Sequence, residues 1–125
     1  MISKLIDGKK ISSSIHELLE KQISEIKSKY FKAPKLVVIL VGSNPASISY
    51  VKAKEKACKK AGIICHVERL EENVTEKDLI KYINDLNYDI ETDGMIVQLP
   101  LPKKLDEEKI IQSISPQKDV DGLTN

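Results

Sequence analysis

The sequence has no tryptophan, one phenylalanine and four tyrosines. So few aromatics exclude a surface on which nucleic-acid bases stack. Neither charge dominates: twenty basic residues face nineteen acidic ones, for a net charge of +1. Nothing in that balance attracts nucleic acid or an anionic membrane. The longest apolar run, Leu36 to Val41, is far short of the roughly 20 residues that span a bilayer. Met1 to Gly8 lacks the apolar core of a secretory signal, so the expected address is cytoplasmic. Cys58 and Cys65 fit neither a C-x-x-C redox pair nor a zinc knuckle. Both read as structural thiols, Cys58 in a helix core and Cys65 in a strand. His16 and His66 have no partners at metal-ligand spacing, so no metal is expected. His66 would have to meet an acidic residue through the fold. Asn73-Val74-Thr75 has the form of a glycosylation site, which is without meaning in a cytosolic chain.

What is present is 125 residues, 41% hydrophobic and 31% charged, enough for one domain with a real core. No repeat or low-complexity tract interrupts it. Ile11, Ile15, Leu18, Leu19, Ile23 and Ile26 recur at helical spacing, which predicts a helix from about 12 to 30, capped within Ser12–Ser14 and broken at Ala33-Pro34. Lys35 to Gly42 reads as a central parallel strand buried on both faces. Asn44 and Pro45 suit the cap and first position of a helix that runs to Ala61 and stops at Gly62. Ile63 to Leu70 reads as a strand. Thr75 caps a helix carrying Leu79, Ile80, Ile83 and Leu86. Gly94 to Leu99 reads as a third strand, Asp106 to Ile114 as a short helix, and the chain from Pro116 as a loop. Strands alternating with helices define an α/β fold, a three-layer sandwich around a mainly parallel sheet.

In such sheets ligands sit beyond the carboxyl ends of the strands. That edge collects the loop after the first strand, the Gln98–Pro102 exit from the third, and the start of the lysine-rich helix; the Asp121 loop is within reach. Stepping about 100° per residue, Lys52, Lys56, Lys59 and Lys60 share one polar arc, with Glu55 near its edge. Lys54 falls opposite, among Ser47, Tyr50, Val51, Cys58 and Ala61. An inward lysine loses hydration, which disfavours its charged form and suits it to proton transfer. Periodicity alone better describes a lysine snorkelling from the edge of an apolar stripe. Tyr50, one turn earlier, is either a core aromatic or a stacking surface. A lone Gln98 ending an apolar strand either closes a hydrogen-bond network or touches a ligand. Pro100-Leu101-Pro102 either stops the strand or forms a rigid wall. Asp119-Val120-Asp121-Gly122 is a turn by composition, too poor in ligands for calcium, or presents one carboxylate to a ligand's ring nitrogens.

Three segments taken together are more specific. Val41-Gly42-Ser43-Asn44-Pro45-Ala46-Ser47 with Tyr50-Val51 and Lys54, then Gly94-Met95-Ile96-Val97-Gln98-Leu99-Pro100-Leu101-Pro102, then Pro116-Gln117-Lys118-Asp119-Val120-Asp121-Gly122 resemble, in order and separation, the bifunctional methylenetetrahydrofolate dehydrogenase/methenyltetrahydrofolate cyclohydrolase family. The resemblance runs from Asp7-Gly8 to Leu123-Thr124-Asn125. It implies oxidation of 5,10-methylene-tetrahydrofolate with NADP, or NAD in some members, followed by hydrolysis of the methenyl form to 10-formyl-tetrahydrofolate. It implies that Lys54 is the general acid/base of the hydrolysis, held and tuned by Gln98. By the same resemblance Tyr50 stacks on the folate rings and Asp121 grips the pterin's amino and ring N–H groups. Val97, Leu99 and Pro100 line the slot, and Ser47 supports the lysine. A homodimer is implied for the full-length enzyme.

The family also carries a C-terminal Rossmann domain for the dinucleotide, and no G-x-G-x-x-G occurs in these residues. The expectation is therefore an isolated folate-binding catalytic domain, with weak cyclohydrolase activity at most, doubtful hydride transfer, and an exposed apolar patch where the second domain docks. Two rival readings stand beside it. A receiver-type signalling domain shares the length and the lysine, but needs an acidic Mg²⁺ pocket at the end of its central strand, where this chain has Val41-Gly42-Ser43-Asn44. A non-catalytic folate-binding fragment differs from the enzyme only in rate.

Overall fold

The structure, a computed structural model, describes residues 21–25 and 32–123. Residues 21–25 are helical and Ile23 is buried. The rest of the helix expected over 12–30, with its cap at Ser12–Ser14, lies outside the described residues.

Six elements follow: β1 (Lys35–Val41), α1 (Pro45–Ala61), β2 (Ile64–Leu70), α2 (Glu76–Tyr88), β3 (Gly94–Val97) and α3 (Glu107–Gln112). The sheet order is β2-β1-β3. Both pairings are parallel, running Lys35↔Ile64 to Val41↔Leu70 and Leu36↔Gly94 to Ile39↔Val97. Strand side chains alternate between faces, and in β1 both sets are covered. Val37, Ile39 and Val41 join Met95, Val97, Leu79, Ile83 and Ile110 in one core beneath α2 and α3. Val38 and Leu40 join Ile96 and Val51 in a second core beneath α1. This double cover is why β1 reads as an unbroken apolar run. Each aliphatic side chain so buried contributes on the order of 1.5–3 kcal/mol. The result is the expected three-layer α/β sandwich.

The differences from expectation lie at element ends. β1 stops at Val41, and Gly42 turns the chain at φ +82° while donating to Leu70 O at 3.0 Å. β2 begins at Ile64 because the Ile63 N–H is spent on Cys58 O at 2.8 Å, closing α1. Together with Gly62 N–H to Lys59 O, and Gly62 at φ 85°, this is a Schellman ending that a residue with a Cβ would strain. β3 is two residues shorter than expected: Gln98 N–H still reaches Ile39 O at 2.9 Å, but Pro100 has no donor to continue the ladder, and the Leu99–Pro100 peptide is cis. α3 occupies Glu107–Gln112 with Asp106 as its cap. Beyond it Ser113 and Ile114 wind on through i→i−3 bonds to Ile110 O and Ile111 O, a tighter turn.

Candidate active site

The site begins with the cap of α1. Asn44 Oδ1 accepts from Ala46 N at 2.9 Å and Ser47 N at 3.2 Å, and Pro45 occupies the first helical position. Val51 is fully buried against the sheet. Cap and contact together fix the helix's phase. Lys52, Lys56, Lys59 and Lys60 are exposed and Lys54 is half-buried, as the periodicity requires.

Gln98 lies two residues beyond Ile96 and therefore on the α1 face of the sheet. It is 7% exposed. Its Oε1 accepts from Lys54 Nζ at 2.5 Å, and its Nε2 donates to Leu99 O at 2.9 Å. Both ends of the amide are used, and the second bond keeps the oxygen aimed at the lysine. The lysine contacts an uncharged acceptor, so its amine is positioned without being locked into an ion pair.

The remaining expected residues divide. Ser47 is 1% exposed on the same side of α1, and its Oγ has no hydrogen-bond partner among the described residues. Tyr50 is 58% exposed, which removes the core-aromatic alternative and leaves its ring open beside Lys54. Val97 is 3% exposed and belongs to the opposite core. Alternation points its side chain away from Lys54, so only its backbone is available to a slot. Leu99 is half-buried against that same core and Pro100 is exposed. Glu107 Oε2 accepts from Leu101 N at 2.8 Å, tethering the proline-rich exit to α3.

Asp121 reaches the sheet by another route. Met95 N–H donates to Lys118 O at 2.8 Å and Met95 bridges Asp119 in parallel register, so the loop runs along the side of β3 away from β1. Gly94 permits this approach, since a Cβ there would lie 2.5 Å from Val120 Cγ2. Asp119 Oδ1 accepts from Gly122 N at 3.1 Å, an Asx-type closure. Asp121 is exposed and makes no hydrogen bond to Lys54 or Gln98. The structure thus joins Lys54 to Gln98 directly, sets Tyr50 on the same helix, and carries Asp121 on a separate loop.

Two residues were not foreseen. Asn87, in the last turn of α2, donates to Ser113 O and accepts from Ser115 N, both at 2.8 Å. Lys118 Nζ donates to Leu86 O at 2.7 Å and Asp89 O at 2.6 Å. Lys118 stood inside a recognisable motif without a role; nothing in α2's amphipathic pattern singles out Asn87. Nearby, the Asp89 carboxyl is held below its usual range by the Glu91 N–H first, then the Thr92 hydroxyl, with Lys35 and Lys118 adding.

His66 meets Glu68 at 2.9 Å, two residues along the same strand, rather than a partner brought from elsewhere in the fold. Cys58 and Cys65 are free. Burial is the main force raising both thiols, and Cys65, with Cys58 and Glu55 adding, is pushed up to about 12. These are protonated, inert thiols. A cavity of about 430 Å³ is lined by Glu55, Lys56, Lys59, Ile63 and Cys65. It lies on the flank of α1 facing β2 and is separate from the Lys54–Gln98 pair. Among the described residues no group of three His, Cys, Asp or Glu side chains could hold a metal, and no helix is long and apolar enough to cross a membrane.

A dinucleotide's pyrophosphate is held by a glycine-rich loop at a helix start, and among the described residues no G-x-G-x-x-G precedes a helix. Asn44 takes two first-turn amides of α1, and Thr75 and Asp106 take one each of α2 and α3.

These features define a doubly covered α/β domain with a lysine–glutamine pair at the carboxyl edge of its parallel sheet. Residues 6–121 match the family model described as "Tetrahydrofolate dehydrogenase/cyclohydrolase, catalytic domain", and the chain belongs to that family. It is 46% identical to the bifunctional protein FolD of Staphylococcus aureus over 98% of its own length and 43% of the relative's. The crystal structure of the FolD enzyme of Campylobacter jejuni superposes with a TM-score of 0.90 at 47% identity, over 94% of this chain and 42% of that one. The Trypanosoma brucei dehydrogenase-cyclohydrolase, solved with NADP cofactor and inhibitor, gives 0.85 at 31% identity, over 93% and 39%. The chain thus spans less than half the length of these relatives.

Proposed function

We propose that this chain is the folate-binding catalytic domain of a methylenetetrahydrofolate dehydrogenase/cyclohydrolase and that its own residues carry out the ring-opening hydrolysis. The observation that carries this reading is the Lys54 Nζ–Gln98 Oε1 hydrogen bond. In its amine form Lys54 takes a proton from water as the oxygen attacks the cationic methenyl carbon. The resulting ammonium returns that proton to N5 as the carbon–N5 bond breaks. The formyl group stays on N10, and the carbinol proton leaves to solvent, so one net proton is released. One group serves as base and then acid, as general acid–base catalysis near neutral pH requires.

In this reading Gln98 keeps the amine aimed at the reacting carbon, and the exposed Tyr50 ring stacks on the pterin. Asp121 accepts from the pterin's amino and ring N–H groups through charge-assisted bonds. Leu99, Pro100 and the Val97 backbone line the slot, and Ser47 supports the lysine from within the helix. Hydride transfer to NADP or NAD is assigned to a dinucleotide site outside the described residues. The family resemblance also supports a Rossmann-type domain and a second subunit as partners. Free thiols at Cys58 and Cys65 fit a cytoplasmic address.

The test is loss of 5,10-methenyl-tetrahydrofolate absorbance with this chain and with Lys54→Ala. Enzymatic hydrolysis abolished in the variant is the expected result. Hydrolysis equal in both overturns the assignment of Lys54. Folate binding without turnover in either makes the chain a folate-binding unit whose chemistry needs the remainder of the enzyme.

A further inference from the structure

We infer that the C-terminal turn of α2 is the platform that positions Asp121, and that Lys118 is the positioning residue which bolts the Asp121 loop to it. The inference rests on the reading that Asp121 grips the pterin.

The segment before Asp121 is fastened to α2 by side chains acting in both directions. From the helix, the Asn87 amide donates to Ser113 O and accepts from Ser115 N at 2.8 Å each. From the loop, Lys118 Nζ donates to Leu86 O at 2.7 Å and Asp89 O at 2.6 Å. Leu86 and Asp89 sit where α2 ends, at its negative dipole end, which favours an ammonium. Leu86 O and Asp89 O already accept from the N–H groups of Asp89 at 3.2 Å and Thr92 at 3.1 Å. Lys118 is a second donor to each and draws the loop onto the end of the helix. A third tether, Met95 N–H to Lys118 O at 2.8 Å, fastens the same residue to β3. Gly94 leaves the room Val120 occupies. Lys118 is the residue that ties this segment to both α2 and β3. The Met95–Asp119 bridge and Val120 at Gly94 carry that placement on to the turn where Asp121 is exposed.

The experiment is a double-mutant cycle on the full chain with tetrahydrofolate as the probe, read by equilibrium titration. Lys118→Met should weaken tetrahydrofolate binding at least tenfold, and Lys118→Arg, which keeps donors at that distance, should restore most of it. In the Asp121→Asn background Lys118→Met should add less than twofold, because the group it positions is gone. Hydrogen exchange at the Met95 amide should quicken in Lys118→Met while the Leu40 amide of β1 does not. Where methenyl hydrolysis is measurable, KM should rise with kcat nearly unchanged, a split that general unfolding would not produce.

Unchanged affinity in Lys118→Met, with Asp121→Asn still weakened, overturns the positioning role and leaves the proposed function standing. Equal weakening in both backgrounds overturns it too, since the effect then bypasses Asp121. Asp121→Asn binding as tightly as the unaltered chain overturns the pterin assignment, and the inference falls with it. Should Lys118→Met not fold, Gly94→Ala takes its place in the cycle. It displaces Val120 with Lys118 intact, and it must weaken binding only when Asp121 is present, or the inference is overturned.

Discussion

Lys54 Nζ and Gln98 Oε1 lie 2.5 Å apart although 44 residues of chain separate them. One stands on a helix, and the other, just beyond β3, is held to β1 by its N–H bond to Ile39 O at 2.9 Å. Lys54→Met removes the proton carrier and should lower methenyl hydrolysis by roughly 10²–10⁴-fold. Gln98→Asn keeps the amide but withdraws it by one methylene, so the bond to Lys54 is lost. It should cost most of the same activity while folate affinity stays within a few-fold. Initial rates together with equilibrium folate titration separate these effects. Full activity in Gln98→Asn would show that the amide does not position the lysine.

Tyr50 is 58% exposed, so truncating it removes little packing. Tyr50→Ala should leave unfolding free energy within about 0.5 kcal/mol of the original. Its folate affinity should drop by an amount typical of ring stacking, about 1–3 kcal/mol, and Tyr50→Phe should retain it. Urea denaturation and folate titration on the same preparations decide the matter. A destabilised Tyr50→Ala with unchanged affinity would make the tyrosine structural.

Much of this was legible in the sequence because local rules and the fold agree. Asn44-Pro45 at one end and Gly62 at the other fix α1. Its 3.6-residue period then separates Lys54 from Lys52, Lys56, Lys59 and Lys60. The unbroken run in β1 announced cover on both faces. What stayed hidden depends on through-space contact. Period-2 alternation could have shown that Val97 and Gln98 point to opposite faces, but it does not say which face holds the site. Asn87 looks like any polar residue of a last helical turn until Ser113 and Ser115 are beside it. Lys118 reads as solvated until its reach to Leu86 and Asp89 is known.

The Pro100-Leu101-Pro102 exit has its own tether. Glu107 Oε2 accepts from the Leu101 N–H at 2.8 Å, and Leu101 is buried. Glu107→Ala leaves that amide without an acceptor, a loss of about 1–3 kcal/mol. Glu107→Gln offers an acceptor in the same place and should recover at least half of it. Urea midpoints report the difference. If the two variants lose equally, the carboxylate charge at the start of α3 is what matters, and the tether is incidental.

The buried thiols make stability fall at alkaline pH. Burial first, then the neighbouring Cys58 and Glu55, push Cys65 from an ordinary 9.0 up to about 12, and Cys58 is raised in the same direction. The folded chain therefore keeps a proton that the unfolded chain releases above pH 9.0. With fewer protons bound in the unfolded state, stability falls as pH rises. The contribution is fully present below 9.0 and is lost progressively towards 12. Cys65→Ala removes one group that holds its proton more tightly in the folded chain, so its unfolding free energy should decline less steeply than that of the unaltered chain between about pH 9 and pH 11. Urea denaturation across that range measures both slopes. Parallel curves would mean that Cys65 titrates alike in the folded and unfolded chains, contrary to its burial beside Cys58.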